Sequence, residues 1–174
     1  LYRMQELNEE DQQVLRERLG KELEPSIDYT TVTEESVGAI LNRAAANYTT
    51  FTHGDLHLRN LVVDKNDDIM LLDFETVALG APQVDEGRFY SHRNLGLTVD
   101  EQRFCVGWYA SERGVEDLED YLEGYHAAVV FKTLEHMDYV KENTGEELRY
   151  STKEAKELLE SDMKKLTEHR PYIE

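Results

Sequence analysis

Apolar residues recur at helical spacing along most of the chain, among charged and polar residues on the opposite face. This periodicity is typical of amphipathic helices that bury one side. The predicted helices span residues 5–23, a segment from Thr31 to Asn47, and residues 83–95, 99–112, 116–142 and 152–168. Glu stands three residues after Thr31 and three after Ser151, and both spacings predict a capping box at a helix start.

Between residues 51 and 75 the helical pattern gives way to short alternating and apolar runs. Leu61–Val63 predicts a short strand, residues 64–68 a polar turn, and residues 69–72 a return strand. One small antiparallel hairpin among long helices favours an α+β fold that is mostly helical. No repeat or long linker divides the 174 residues, so we expect a single unit over residues 1–174.

The charge of the chain narrows the classes of partner. Asp and Glu number 37 against 19 Lys and Arg, which gives a formal charge of −18. Such a surface repels phosphate backbones and anionic lipid, which argues against nucleic acid or a membrane as partner. No apolar run reaches the roughly 20 residues of a membrane span. The single cysteine, Cys105, excludes an internal disulfide, and we expect a cytoplasmic protein.

Candidate chemistry gathers at one end of the predicted hairpin. A dense polar run precedes the first strand, and two carboxylates follow the second. The residues concerned are His53, Asp55, His57, Arg59 and Asn60 before the hairpin, and Asp73 and Glu75 after it. A hairpin brings its ends together, so we expect Asp55 and Asn60 to lie near Asp73. A free carboxylate can orient or deprotonate a hydroxyl, and carboxamide and carboxylate oxygens suit Mg²⁺.

Two other interpretations of the same residues remain open at this point. The first is that these residues only cap and stabilise the turns of a polar loop. His53, Asp55 and His57 also have the alternating spacing of a metal-dependent hydrolase site, although the remaining histidines show no paired spacing.

Three motifs in order give the chain a family resemblance. They are His53-Gly54-Asp55-Leu56-His57-x-x-Asn60, then Asp73-Phe74-Glu75, then Gly80-Ala81-Pro82-Gln83-Val84-Asp85. Together they resemble the aminoglycoside phosphotransferase and choline kinase family of small-molecule kinases, which has a protein-kinase-like fold. The hairpin with its catalytic loop would belong to the C-terminal lobe of that fold.

The resemblance implies a role for each matched position. Asp55 would be the catalytic base or orienting carboxylate for the acceptor hydroxyl, and Asn60 and Asp73 would hold Mg²⁺ on the nucleotide phosphates. His53 would fix the loop by packing and hydrogen bonding, and His57 would shape the loop or approach phosphate. Glu75 would support the metal or acceptor site, and Asp85 would tie its loop to the lobe through backbone N–H groups. The implied cofactors are Mg²⁺ and ATP, or GTP, as phosphoryl donor.

The chain departs from the family before His53. No glycine-rich stretch occurs there, Lys21 is the only lysine, and the pattern is helical. We therefore expect the N-terminal nucleotide-binding lobe to be missing, the chain to be a fragment that begins at Leu1, and the fragment to be inactive alone. A kinase-like lobe that binds a ligand without catalysis is the alternative.

The acceptor is expected to be a small hydroxyl compound. Residues 86–140 are rich in Asp and Glu and include Trp108, Tyr109, Tyr121 and Tyr125, whose faces can attract cations. These features favour a cationic acceptor such as an aminoglycoside or a choline-like alcohol, with a sugar equally consistent with the motif.

Overall fold

The computed structural model describes residues 34–145 and 149–173. The helices are α1 (Glu34–Tyr48), α2 (Gln83–Tyr90), α3 (Val99–Glu112), α4 (Leu118–Glu142) and α5 (Thr152–His169), and the strands are β1 (Thr50–Thr52), β2 (Leu61–Val63), β3 (Ile69–Leu71) and β4 (Ala78–Gly80). This confirms the mostly helical α+β prediction. The predicted helix over 5–23 and the Thr31 capping box lie outside the described residues.

Helix α4 forms the centre of the helical body and packs against α1, α2, α3 and α5. Its buried residues join two apolar clusters. The first contains Val37, Ile40, Ala127, Val130, Met137, Val140, Ala155, Leu159, Met163 and Leu166, and the second contains Val106, Ala110, Tyr121, Leu122, Tyr125 and Val129. Neither α4 nor another helix in the described ranges is long and apolar enough to cross a membrane.

Local hydrogen bonds decide where the helices begin and end. At α5, Ser151 Oγ accepts from Glu154 N (3.3 Å) and Glu154 Oε2 accepts from Ser151 N (2.9 Å), so the predicted capping box is present. Helix α4 begins at Leu118 because Asp117 caps it by accepting from Asp120 N at 3.0 Å.

Helix α2 is shorter than the prediction over 83–95. It ends at Tyr90, where Ser91 Oγ donates to Gly87 O at 2.5 Å. The residues that follow form turns up to Gly96, which has a φ of +64°. The Ser91 hydroxyl competes for a helical carbonyl, and Gly96 adopts a left-handed conformation. Both features favour the end of the helix over its continuation.

Two separate two-stranded sheets carry the polar loop. In the first, β2 pairs antiparallel with β3, and Leu61 lies opposite Leu71, as the hairpin prediction requires. In the second, β1 pairs antiparallel with β4, and Thr50 lies opposite Gly80. The second pairing brings the chain back beside His53 after the hairpin.

A pair of buried histidines joins α4 to the end of α5. His126 Nδ1 lies 2.8 Å from His169 Nδ1, and Arg103 Nη1 lies 3.0 Å from His126 Nε2. Because the guanidinium can only donate, His126 accepts at Nε2 and donates from Nδ1 to His169. Burial lowers the pKa of His126 to about 3 and that of His169 to about 4, so both rings are neutral in the fold.

Candidate functional site

The loop between β1 and β2 turns at Gly54, which has a φ of +80°. A Cβ at this position would lie 2.6 Å from Thr76 O, a backbone atom. Thr76 also approaches through its side chain, since Thr76 Oγ1 donates to His53 O at 2.7 Å. The left-handed backbone and the close carbonyl both require glycine here.

Asp85 fastens this turn to the first turn of α2. Its Oδ2 accepts from His53 N at 2.6 Å, and its Oδ1 accepts from Gly54 N at 2.8 Å. Both oxygens of one half-buried carboxylate are thus used by consecutive backbone N–H groups, and such charge-assisted bonds are stronger than neutral ones. The loop and α2 therefore hold a fixed position relative to each other.

His53 connects the loop to the end of the hairpin. Its buried ring places Nε2 2.8 Å from Leu72 O, and Nδ1 accepts from Asp55 N at 3.4 Å. A ring that donates from Nε2 to a carbonyl and accepts at Nδ1 is neutral with a defined tautomer. The ring also packs against Phe74, with a centroid separation of 5.1 Å.

Asn60 closes the loop from the other end. Its Nδ2 donates to Asp55 O at 3.0 Å, and its backbone O accepts from Leu72 N at 2.9 Å. The first bond uses the NH₂ group of the carboxamide, so its oxygen is the atom that can coordinate a metal ion. The second bond places Asn60 beside the residue that precedes Asp73.

Asp73 follows β3 with an unusual backbone conformation. Its φ is +64° and its ψ is +65°, and its side chain makes no capping bond to the short 3₁₀ helix Phe74–Thr76. Non-glycine residues in this region are uncommon and cluster at functional sites. Asp73 and Glu75 are both exposed. The structure thus brings the backbone of Asp55, Asn60 and Asp73 to one end of the hairpin.

The donor set at this end fits Mg²⁺. One carboxylate, on Asp73, and one carboxamide oxygen, on Asn60, are hard ligands that leave room for water and phosphate oxygens. Throughout the part of the chain that is described, no three His, Cys, Asp or Glu side chains are grouped to hold a metal ion. The ligand set needed for the hydrolase alternative is therefore not formed by those residues.

The carboxylate of Asp55 points to a different set of partners. Arg88 on α2 forms an ion pair with its Oδ1, and His57 Nε2 lies 3.4 Å from its Oδ2. His57 is itself oriented by accepting from Arg59 N at 3.2 Å. Arg88 lies outside the three sequence motifs. Its position three residues after Asp85 could have indicated it in the sequence, because side chains three residues apart share one face of a helix.

A cavity of about 500 Å³ opens beside Asp55. Its wall runs from the loop past the end of α2, at Ser91, to the facing sides of α4 and α5, at Thr133 and Ser161. Neither Asn60 nor Asp73 is among the described residues that line it. Asp55 therefore lies between the hairpin end, with its candidate metal ligands, and a cavity of a size that suits a small molecule.

The residues expected to receive a cationic acceptor lie mostly elsewhere. Tyr121 and Tyr125 are buried in the core, where their hydroxyls donate to Glu86 Oε1 (2.8 Å) and Gln102 Oε1 (2.6 Å). Trp108 and Tyr109 belong to α3, outside the lining of the cavity.

A comparison with protein families finds a match over most of the chain. The model of a family described as phosphotransferase enzymes matches residues 2–138, which include the loop, both sheets and most of α4. No curated protein and no solved structure matches the chain.

Proposed function

The chain belongs to the phosphotransferase enzyme family, as the resemblance in its motifs implies, and we propose that it transfers the γ-phosphoryl group of ATP or GTP to a hydroxyl of a small molecule. The observation that carries this proposal is the position of Asp55, between the candidate Mg²⁺ ligands Asn60 and Asp73 and the cavity.

Asp55 is the group that meets the acceptor hydroxyl. In the transfer, the hydroxyl oxygen bonds to the γ-phosphorus, and the bond from that phosphorus to the β–γ bridging oxygen breaks. The hydroxyl proton passes to Asp55, and the nucleoside diphosphate leaves. Because this chemistry depends mainly on position and charge, the ties from Asp85, His53 and Asn60 to the loop support catalysis by fixing Asp55.

Asn60 and Asp73 would hold Mg²⁺ on the nucleotide phosphates, with Glu75 as a supporting carboxylate nearby. The ion would supply positive charge that neutralises the phosphate oxygens. Arg88 and His57 contact the Asp55 carboxylate from the cavity side and restrict its orientation.

We propose that the chain forms the C-terminal lobe of a kinase-like fold. The nucleotide would approach this lobe from the side of the two sheets. Large apolar side chains are exposed there, among them Phe51 (77 % exposed) and Leu79 (68 %) of the β1–β4 sheet. Apolar surface beside a phosphate-binding site suits a base or a covering lobe. That the 174-residue chain lacks a nucleotide lobe and is inactive alone stays a prediction, as does a cytoplasmic location.

The test measures Mg²⁺-dependent phosphoryl transfer from ATP and from GTP to a panel of small alcohols. The assay compares the 174-residue chain with the full-length product of its gene. Asp55→Asn is expected to lower kcat by at least about 100-fold in the active form. Asp100→Asn, an exposed carboxylate in the first turn of α3, is the matched control and should retain activity. Transfer that Asp55→Asn leaves intact would overturn the proposal.

Binding separates a catalytic lobe from a non-catalytic module. Titration with Mg²⁺ and a non-hydrolysable ATP analogue is expected to show metal-dependent binding that Asp73→Asn weakens. Binding of a ligand in the cavity with no metal-dependent nucleotide binding in either form would favour the non-catalytic alternative.

A further inference from the structure

The cavity beside Asp55 has the opposite charge to the rest of the protein. Among the residues that the structure describes, six Lys and Arg side chains line it against three carboxylates, although the chain as a whole carries a formal charge of −18. The six cationic residues are Arg59, Arg88, Arg93, Lys132, Arg149 and Lys165. Such segregation of positive charge into one concave site focuses a positive potential there.

The three carboxylates among the described lining residues are each paired with another cavity residue. Asp55 pairs with Arg88, and Glu135 Oε2 lies 2.9 Å from Lys132 Nζ. The third, Asp162, is buried. Its Oδ2 lies 2.7 Å from His136 Nδ1, and its Oδ1 lies 3.9 Å from Lys165 Nζ. These carboxylates are therefore not free to bind a cationic ligand.

Three guanidinium groups of the lining have no such partner among the described residues. Within the described residues, no carboxylate forms an ion pair with Arg59, Arg93 or Arg149. Arg149 is held at the wall by the aromatic rings of Tyr139 and Tyr150, and its Nη1 donates to Tyr139 Oη at 2.7 Å. A guanidinium that is held in this way presents its remaining donors in a fixed fork, which suits carboxylate and phosphate oxygens.

Positive charge also extends into the interior of the cavity. The side chain of Lys165 is 25 % exposed and that of Lys132 is 17 % exposed. Burial lowers the pKa of Lys165, the Asp162 carboxylate opposes this shift, and the positive charges of Arg93 and Arg88 add to it. Cations that are crowded in a partly dehydrated site repel one another, and an anion in their midst would relieve that repulsion.

We propose that the acceptor alcohol carries an anionic group, a phosphate or a carboxylate, that binds Arg93, Arg149 and Lys165 while its hydroxyl meets Asp55. This inference rests on the proposed phosphoryl transfer for the role of the hydroxyl, but the anion site stands on the cavity alone. The acidic composition favours a cationic acceptor, whereas the charge of the cavity favours an anionic one. The triphosphate of the donor is a less suitable occupant, because the candidate metal ligands Asn60 and Asp73 lie outside the lining.

Four probes on one carbon skeleton test the charge preference. They are glucose, glucosamine, gluconate and glucose 6-phosphate, titrated into the 174-residue chain by calorimetry without nucleotide. Glucose 6-phosphate or gluconate is expected to bind at least about tenfold more tightly than glucose, and glucosamine no more tightly than glucose. The two anions distinguish a phosphate site from a carboxylate site. Equal binding of all four, or preferred binding of glucosamine, would overturn the proposal.

Two adjacent lysines provide a matched pair of variants. Lys165→Gln removes a cavity cation, whereas Lys164→Gln removes a neighbour on the same helix whose side chain is 76 % exposed. Binding of the preferred anion is expected to weaken about tenfold in the first variant and to remain unchanged in the second. Equal affinities in the two variants would count against the assignment.

Arg93→Gln keeps the test valid if Lys165→Gln does not fold. Arg93 is exposed at the mouth of the cavity, so its replacement leaves the core intact, and the same tenfold loss is expected. The calorimetric readout requires no phosphoryl transfer. Absence of transfer with intact anion binding would therefore reject the proposed function alone, and transfer to uncharged alcohols without anion binding would reject this inference alone.

Discussion

The loop end and the helical body of this protein are stabilised in different ways. The loop from His53 to Asn60 is held by single polar contacts, such as the two bonds from the Asp85 carboxylate and the one from the Asn60 carboxamide. The helical body is held by apolar side chains distributed over four helices around α4. The loss of one polar group should thus matter more in the loop than on the surface of the helical body.

Replacement of the loop glycine should have the largest effect. In Gly54→Ala, the new Cβ would meet Thr76 O at 2.6 Å and the backbone would have to keep a φ of +80°. We expect a loss of about 4 kcal/mol in the free energy of unfolding and loss of phosphoryl transfer. Urea denaturation measures the first effect.

Gly96→Ala is the matched control for this substitution. Gly96 also has a positive φ, +64°, but nothing lies within 4 Å of a Cβ placed there. Its cost should be limited to the backbone term of about 1 kcal/mol. Similar costs for both variants would show that the contact with Thr76 does not constrain the loop.

One buried ionisable group makes the stability of the helical body depend on pH. Glu86 is buried on α2, and burial raises its pKa to about 7 from 4.5. The fold therefore binds this proton more tightly than the unfolded chain does. The contribution of Glu86 to stability falls as the pH rises from about 4.5 through 7. His126 and His169, with lowered pKa values, act in the opposite direction below about pH 6.5.

Glu86→Gln separates these opposing effects. The stability of this variant relative to the unmodified protein should increase by roughly 2.5 kcal/mol between pH 5 and pH 8, since only the carboxylate loses stability as it ionises. Urea denaturation at both pH values gives the difference, in which the histidine contribution cancels. A difference that does not change with pH would show that Glu86 is not protonated by the fold.

Asp85→Asn tests the loop at its tie to α2. The amide supplies one acceptor and sets an NH₂ group against a backbone N–H, so one charge-assisted bond is lost. We expect a loss of about 2 kcal/mol and faster amide hydrogen exchange at His53 and Gly54. Asp100→Asn, on the exposed start of α3, should change stability by only a few tenths of a kcal/mol.

The smallest effect is expected where the body relies on surface charge. Arg43 of α1 lies 2.7 Å from Asp120 and 2.6 Å from Glu123 of α4, but its side chain is 46 % exposed. Solvent screening limits such pairs, so Arg43→Ala should cost about 0.5 kcal/mol. A thermal denaturation curve that shifts by more than that of Gly96→Ala would contradict the contrast between the two regions.

Sequence alone was sufficient for the features that depend on neighbouring residues. The helices after residue 98, the β2–β3 hairpin and the Ser151 capping box each follow from spacing within one segment. The family was also predicted correctly, because its motifs lie within residues 53–85. The roles of Asp55, Asn60 and Asp73 remain predictions that the proposed assays test.

The features that were missed depend on distant parts of the chain. The β1–β4 pairing joins two three-residue strands across the whole hairpin, and neither strand has a periodic signal of its own. The pairing of Arg88 with Asp55 and the basic cavity likewise combine residues from the loop, α2, α4 and α5. Composition averages over the surface, so an acidic chain does not disclose a basic site.

The approach of α2 to α4 has a consequence for how this protein can evolve. A Cβ on Gly87 would lie 3.0 Å from Val129 N, a backbone atom of α4, so the two helices are already close to their minimum separation. The same short helix carries Asp85 and Arg88, both bonded to the loop. A shift of this helix would therefore disturb Asp55. Under the proposed function, a change of acceptor would have to come from side chains along the cavity wall, with the loop left in place.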